Sequence, residues 1–223
     1  MSATLRQRLA AETLGTGFLT MAVVGSGIMG ERLANGNVAV ALLANSIATG
    51  SALVALILTF GSISGAHLNP AVTLGEALRG AITRSEASLY SLAQFAGALA
   101  GVACANVMYA LPVITISSHT RTGSTQWFSE FIATFGLVLV IRACARFNRT
   151  WIAVAVACYI AAAYWFTSST SFANPALTVA RSLSDSFAGI RPADVLPFLA
   201  AQVAGSGVAT VLFAWISPGA SDA

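Results

Sequence analysis

Long apolar stretches, broken by single charged residues, dominate the chain. Stretches that lack Asp, Glu, Lys and Arg cover residues 13–30, 33–75, 87–120, 131–141, 150–180 and 195–221. A helix needs about 20 residues to cross ~30 Å of hydrocarbon at ~1.5 Å per residue. The shortest stretch, 131–141, reaches that length only if Glu130 lies inside the bilayer. The pattern predicts membrane-spanning helices near residues 11–30, 38–60, 86–109, 126–145, 151–168 and 194–216.

The composition supports a membrane protein and excludes several other classes. Of the 223 residues, 57% are hydrophobic and 9% are charged, whereas a soluble domain carries about 25% charged residues. This excludes a soluble globular enzyme and a disordered chain. The 11 basic residues are all Arg and lie singly, which speaks against nucleic acid as a partner. The sequence shows no nucleophile–base pair, metal-ligand cluster or phosphate-binding loop, so we expect no enzyme activity, cofactor or metal.

The distribution of arginines predicts the orientation in the membrane. With both termini in the cytoplasm, the inner segments hold seven arginines and the outer segments hold four. Because inner loops are enriched in Arg and Lys, this favours cytoplasmic termini. We therefore expect a multi-pass protein of the cell membrane (plasma or inner membrane), surrounded by lipid bilayer.

The two halves of the chain carry the same polar residues in the same order. The first half has Glu12, Asn69-Pro70-Ala71 and Gln94, and the second half has Glu130, Asn174-Pro175-Ala176 and Gln202. The spacing from Glu to Asn is 57 and 44 residues, and the spacing from Asn to Gln is 25 and 28 residues. Because each half has three spans, the second copy must be inverted relative to the first. The sequence predicts one domain over 1–223, with inverted repeats at about 1–111 and 124–223.

Each Asn-Pro-Ala motif is expected to start a short helix. Asn is a favoured N-cap, and Pro fits the first turn of a helix. Only about ten to fifteen residues follow each motif before the next span, and they are too apolar for an ordinary loop. About ten residues of helix extend ~15 Å, which is half the hydrocarbon thickness. Simple turns are the alternative, but two matched copies favour half-helices that meet amino end to amino end. The predicted fold class is an all-α membrane protein with six transmembrane helices and two re-entrant half-helices in an inverted repeat.

These motifs resemble those of the major intrinsic protein family, the aquaporins and aquaglyceroporins. The resemblance covers the whole chain and includes the string Ser64-Gly65-Ala66-His67-Leu68-Asn69-Pro70-Ala71-Val72-Thr73 and a Glu near the start of the first and fourth spans. It implies a homotetramer with one pore in each subunit. It also implies that Asn69 and Asn174 point donors into the pore, where two helix amino ends repel cations.

The residues at the implied selectivity filter depart from the family pattern. By offset from the two motifs, the filter positions are Thr49, Ala162, Ser171 and Leu177. Related channels carry one or two aromatic residues and an Arg there, whereas this chain has no aromatic residue and has Leu177 in the Arg position. We therefore expect a wide, nearly neutral filter that is poor in donors.

Four further residues are candidates for the pore and its support. Glu12 and Glu130 either accept hydrogen bonds from the re-entrant loops or relay protons, and the supporting role is favoured. His67 is expected beside the pore, with its ring in packing. Arg181 either restores positive charge at the outer vestibule or pairs with Asp185, and the pairing is favoured.

The expected function is passive conduction of small uncharged solutes. These comprise glycerol-like polyols, neutral metalloid hydroxides such as arsenous acid, and water. The alternatives are a water-selective aquaporin and a proton-coupled secondary transporter. A scaffold with a plugged pore and an ion leak caused by the missing Arg also remain open.

Overall fold

The computed structural model describes residues 3–217, and within them the chain is helical and contains no β-strand. The long helices of this part are α1 (Leu5–Leu33), α2 (Val38–Ser64), α4 (Arg84–Met108), α5 (Ser124–Phe147), α6 (Ile152–Phe166) and α8 (Pro192–Ile216). The short helices are α3 (Pro70–Leu78) and α7 (Pro175–Arg181), and a 3₁₀ turn over Arg149–Trp151 leads into α6.

The six predicted spans are confirmed. Within residues 3–217, six helices are long and apolar enough to cross a membrane, the fifth of them including the 3₁₀ turn before α6. The largest difference is at α1, which begins at Leu5 instead of residue 11. Thr4 explains the earlier start, because it forms a capping box with Gln7 that satisfies free backbone N–H groups at the helix start.

The short helices begin where the sequence predicted. Asn69 caps α3 and Asn174 caps α7, each with Pro in the first helical position. Gly65 ends α2 with a left-handed φ of 87°, a conformation that glycine adopts without strain.

The long helices pack in two similar groups of three. α1 packs against α2 and α4, and α5 packs against α6 and α8, while α2 and α6 join the groups. The two short helices lie between the groups, because α3 and α7 each contact α4 of the first group and α8 of the second. The repeat boundaries at 1–111 and 124–223 stay a prediction, and residues 1–2 and 218–223 of these ranges lie outside the described residues.

Glycines allow the closest helix crossings. A methyl group on Gly97 of α4 would overlap the Thr13 carbonyl oxygen of α1, and one on Gly205 of α8 would overlap the Phe131 carbonyl oxygen of α5. Small residues at such crossings let helix backbones approach closely in membranes. These crossings hold together the bundle that surrounds the short helices.

The two ends of the bundle are named here after the ends of α1. At the Leu5 end, Arg8 of α1 forms an ion pair with Glu86 at the start of α4. At the Leu33 end, Glu31 of α1 accepts a hydrogen bond from the Phe187 N–H in the loop before α8. α3 leads toward the Leu5 end and α7 toward the Leu33 end.

Candidate functional site

The two Asn-Pro-Ala motifs face each other at the centre of the bundle. The Asn69 amide donates to the Ala173 carbonyl at 2.7 Å, and the Asn174 amide donates to the Leu68 carbonyl at 2.9 Å. The Oδ1 atom of Asn69 accepts from the Ala71 N–H, so each side chain both caps its own helix and binds the opposite loop. This reciprocal pairing joins α3 and α7 amino end to amino end.

The loops before the short helices have an unusual backbone. Ala66, Leu68, Ser171 and Ala173 have φ between 47° and 51°. Non-glycine residues in this left-handed region cost about 1–3 kcal/mol each and persist only where their surroundings hold them. The groups that hold them are two buried carboxylates.

Glu12 holds the loop before α3. One carboxylate oxygen accepts from the Ser64 hydroxyl at 2.6 Å and the His67 N–H at 3.0 Å. The other accepts from the Leu68 N–H at 2.7 Å and the Gln94 amide at 2.8 Å. Glu12 is fully buried, so backbone and amide donors take the place of water around its charge.

Glu130 makes the corresponding contacts with the loop before α7. It accepts from the Phe172 N–H at 2.8 Å, the Ala173 N–H at 2.9 Å and the Gln202 amide at 2.6 Å. Glu130 is also fully buried. Both carboxylates therefore supply the acceptors that the loop backbone requires at this depth, and neither lines the cavity described next.

A cavity of about 410 Å³ runs past the Asn pair. It is lined by Arg79 and Arg149 toward the Leu5 end, by Asn69 and Asn174 at the centre, and by Arg181 toward the Leu33 end. Apolar side chains of the long helices cover one wall, namely Leu19, Val23, Leu53, Leu137, Val156 and Ile160. A polar solute can therefore exchange hydrogen bonds with the loop side while its carbon atoms contact the apolar wall.

Three of the four predicted filter residues line this cavity, and the fourth does not. Thr49, Ser171 and Leu177 lie on the wall. Ala162 is exposed on another face of α6, and Tyr164 lines the cavity in its place. The prediction of Ala162 was therefore wrong by two residues, because the offset from Asn174 assumed a longer connection between α6 and α7.

Tyr164 also corrects the expectation that no aromatic residue lies at the filter, because its side chain lines the cavity beside Thr49. Its hydroxyl lies 3.1 Å from the Thr49 hydroxyl, and both residues are buried. Ser171 is 2% exposed, and its hydroxyl has no hydrogen-bond partner in the described part of the chain. Thr49, Tyr164 and Ser171 thus each bring a hydroxyl group to a residue position that lines the cavity.

Arg181 contradicts the prediction of a nearly neutral filter. It is 2% exposed, lines the cavity, and donates from Nε to the Ala188 carbonyl. The predicted pairing with Asp185 is wrong, because Asp185 instead accepts from the N–H and hydroxyl of Ser118 at 2.9 and 3.0 Å. The guanidinium carbon of Arg181 lies 3.2 Å from the centre of the Phe172 ring.

A second buried arginine, Arg121, was not predicted from the sequence. It lies in the loop between α4 and α5, and its guanidinium carbon is 4.8 Å from the centre of the Phe172 ring. Burial lowers the pKa of Arg121 to about 10, so the group stays positively charged at neutral pH. No local pattern around residue 121 marks it, because its partners lie at least 48 residues away in sequence.

His67 lies where the sequence placed it, beside the cavity. Its ring Nδ1 is 3.1 Å from the Thr73 hydroxyl, and the ring packs against Tyr90 with centroids 5.2 Å apart. The ring is thus held by neighbours on both sides. Within residues 3–217, no three His, Cys, Asp or Glu side chains are placed to hold a metal ion.

Comparisons with known proteins agree with this architecture. The family model of the Major intrinsic protein family matches residues 1–151. The aquaglyceroporin AqpS of Rhizobium meliloti (strain 1021) is 51% identical over 95% of this chain and 91% of that protein. Aquaporin NIP1-4 of Oryza sativa subsp. japonica is 37% identical over 65% of this chain and 52% of that protein.

A solved structure shows the same fold. The X-ray structure of the aquaglyceroporin from Plasmodium falciparum superimposes with a TM-score of 0.77, covers 94% of this chain and 96% of that chain, and is 22% identical in sequence. The six spans and the two facing short helices thus occur in a fold already seen in a channel. This chain belongs to the major intrinsic protein family, and it is a multi-pass membrane channel for small solutes and not an enzyme.

Proposed function

We propose that the channel passes small uncharged solutes passively: glycerol-like polyols, neutral metalloid hydroxides such as arsenous acid, and water. The observation that carries this proposal is the cavity of about 410 Å³ with one polar and one apolar wall. A polyol has hydroxyl groups along a carbon chain, so it satisfies both walls at once. Arsenous acid is neutral at pH 7 and of similar size, and it carries the same hydroxyl groups.

The similarity to AqpS supports this solute class. That relative is named an aquaglyceroporin, and its similarity extends over nearly the whole of both chains. The proposed site residues are Asn69 and Asn174 at the centre and Thr49, Tyr164, Ser171 and Leu177 along the wall. Glu12 and Glu130 are proposed as supports of the loops.

A water-selective aquaporin is the second candidate, and it is favoured by the large side chains of Tyr164 and Arg181, which both line the cavity. A proton-coupled transporter finds less support. Each buried carboxylate is occupied by at least three hydrogen bonds that hold a loop, so its protonation would release that loop.

We further propose a homotetramer in the plasma or inner membrane, with both termini in the cytoplasm and the Leu33 end outside. Large apolar side chains are exposed along the long helices, including Leu14, Phe18, Leu43 and Ile47, and these faces suit lipid or a neighbouring subunit. Native mass spectrometry is expected to give four times the 22.8 kDa of one chain, and a monomer would contradict the assembly.

The solute class is tested by stopped-flow light scattering on liposomes that contain the purified protein. Gradients of water, glycerol and arsenous acid are expected to relax at least tenfold faster than in empty liposomes. Thr49→Trp places a bulky ring in the cavity and should abolish all three fluxes. Ile47→Trp, on an exposed face of the same helix, should leave them within twofold.

Water flux without glycerol or arsenous acid flux would establish the water-selective alternative. Equal rates in protein-containing and empty liposomes would contradict conduction altogether.

A further inference from the structure

We propose that Arg181 supplies the charge that excludes cations from this channel, one helical turn beyond Leu177, and that Arg121 holds Arg181 in position. The inference rests on the proposed function and adds the residues that decide ion exclusion. Leu177 stands where the family resemblance places an arginine, and a leucine side chain cannot repel an ion. A filter charge that adds to the cation barrier of the two helix amino ends must therefore come from another residue.

Arg181 lies on the same side of α7 as Leu177. Residues four apart on a helix are neighbours on one face, and both side chains line the cavity. The Nε atom of Arg181 is fixed by the Ala188 carbonyl, and the guanidinium stacks on Phe172. Its two terminal nitrogens have no protein acceptor in the described part of the chain, so they remain free to face the cavity.

No carboxylate among residues 3–217 forms an ion pair with Arg181. Asp185, the acidic residue one turn further on, is bound to Ser118. Glu130 is occupied by two loop N–H groups and Gln202. A positive charge that is 2% exposed and has no ion-pair partner acts through a lower dielectric than water, so it repels a passing cation more strongly than a surface charge would.

Arg121 holds the two segments that contact Arg181, namely the one with the Ala188 carbonyl and the one with the Phe172 ring. Its side chain donates to the Gly189 carbonyl at 2.7 Å and the Phe187 carbonyl at 3.2 Å, on either side of Ala188. It also donates to the Ser169 carbonyl at 3.1 Å, in the segment that leads to Phe172. Arg121 does not itself line the cavity, so we assign it a positioning role.

The test compares ion leak with solute flux in the same liposomes. Arg181→Gln removes the charge and keeps a donor at the position of Nε, which binds the Ala188 carbonyl. We expect proton or potassium leak to rise at least tenfold while glycerol flux stays within threefold of the unmodified protein. Arg32→Gln, which removes an exposed arginine that lies near the Leu33 end and does not line the cavity, is the matched control and should leave the leak unchanged.

Moving the charge gives a second, independent result. Leu177→Arg added to Arg181→Gln should return the leak to within threefold of the unmodified protein, because a guanidinium again faces the cavity. If Arg181→Gln does not yield folded protein, Arg181→Lys replaces it. Lysine keeps the charge, so the leak must stay within threefold, and a tenfold rise would overturn the proposal.

The positioning role of Arg121 is tested by combining variants. Arg121→Gln should raise the leak, and the double variant Arg121→Gln/Arg181→Gln should leak no more than twofold above Arg181→Gln alone. If the leak of the double variant equals the product of the two single increases, Arg121 excludes ions independently of Arg181. That result would contradict the positioning role. The conservative variant Arg121→Lys should restore part of the exclusion.

Two failures are distinguishable in these experiments. An unchanged leak in Arg181→Gln, with glycerol flux intact, overturns the assignment of Arg181 and leaves the solute channel standing. Absence of glycerol flux in the unmodified protein contradicts the proposed function instead.

Discussion

At the scale of single residues, the buried carboxylates Glu12 and Glu130 accept backbone hydrogen bonds, which no apolar side chain can do. Each accepts two backbone N–H groups from a loop that has left-handed non-glycine residues. Unsatisfied backbone donors at this depth would cost several kcal/mol. The position of each Asn-Pro-Ala motif thus depends on one carboxylate in a neighbouring long helix.

Glu130→Gln is therefore expected to destabilise the channel. The amide keeps the size of the side chain but places an NH₂ group against N–H donors, and loss of charge-assisted hydrogen bonds costs roughly 2–4 kcal/mol. The midpoint of thermal unfolding in detergent should fall by several degrees, and glycerol flux should fall with it. Glu31→Gln, on an exposed residue with one 3.2 Å hydrogen bond, is the control. An unchanged midpoint for Glu130→Gln would contradict the supporting role.

The correction at the filter yields a second prediction. Tyr164→Ala removes the ring from the cavity wall, so flux of polyols longer than glycerol should rise at least fivefold relative to glycerol. Ala162→Val alters an exposed position on the same helix and should leave the flux of longer polyols relative to glycerol unchanged. Stopped-flow rates for a series of polyols of increasing length provide the measurement. A larger effect at residue 162 than at residue 164 would restore the original assignment.

The filter shows where residue-level prediction from sequence ends. Ser171 and Leu177 could be placed because each lies three residues from Asn174. Thr49 and Tyr164 both lie across a non-helical connection from their motif, residues 65–69 and 167–174. Tyr164 was missed because the second connection is two residues shorter than the offset assumed. Arg121 was missed because its contacts are made by tertiary folding and leave no pattern in the neighbouring sequence.

At the scale of helices, the close crossings decide whether the bundle can form. Gly97 brings α4 against α1, and Gly205 brings α8 against α5. The spans and half-helices were predictable because apolar length, N-cap residues and Pro in the first turn are all local signals. Which helices touch was not predictable, since small residues occur on most of these helices.

A pair of glycines in α8 tests the crossing. Gly205→Ala would place a methyl group on the Phe131 backbone, and such overpacking costs about 1–3 kcal/mol. Gly207→Ala meets nothing within 4 Å and should leave stability unchanged or raise it slightly, because alanine favours helix. Unfolding midpoints in detergent should therefore fall for Gly205→Ala only. Equal midpoints for the two variants would contradict the tight crossing.

At the scale of the whole molecule, two helix amino ends and a passage past them define the channel. α3 and α7 meet at Asn69 and Asn174, and the cavity continues from them toward arginines at both ends. Positive charge at the helix amino ends and at Arg181 disfavours cations, while a neutral solute meets no such repulsion. This arrangement requires no moving part and no energy source, because solute flows down its own gradient.

A channel carries solute only down the gradient of that solute, and the cavity beside the two motifs is proposed to do so. Liposomes that contain the protein are given labelled glycerol outside, with and without an imposed pH gradient, and internal glycerol is followed to its final level. We predict the same rate in both conditions, at least tenfold above empty liposomes, and a final internal concentration equal to the external one. Accumulation above the external concentration under the pH gradient, or a rate no higher than that of empty liposomes, would contradict the claim.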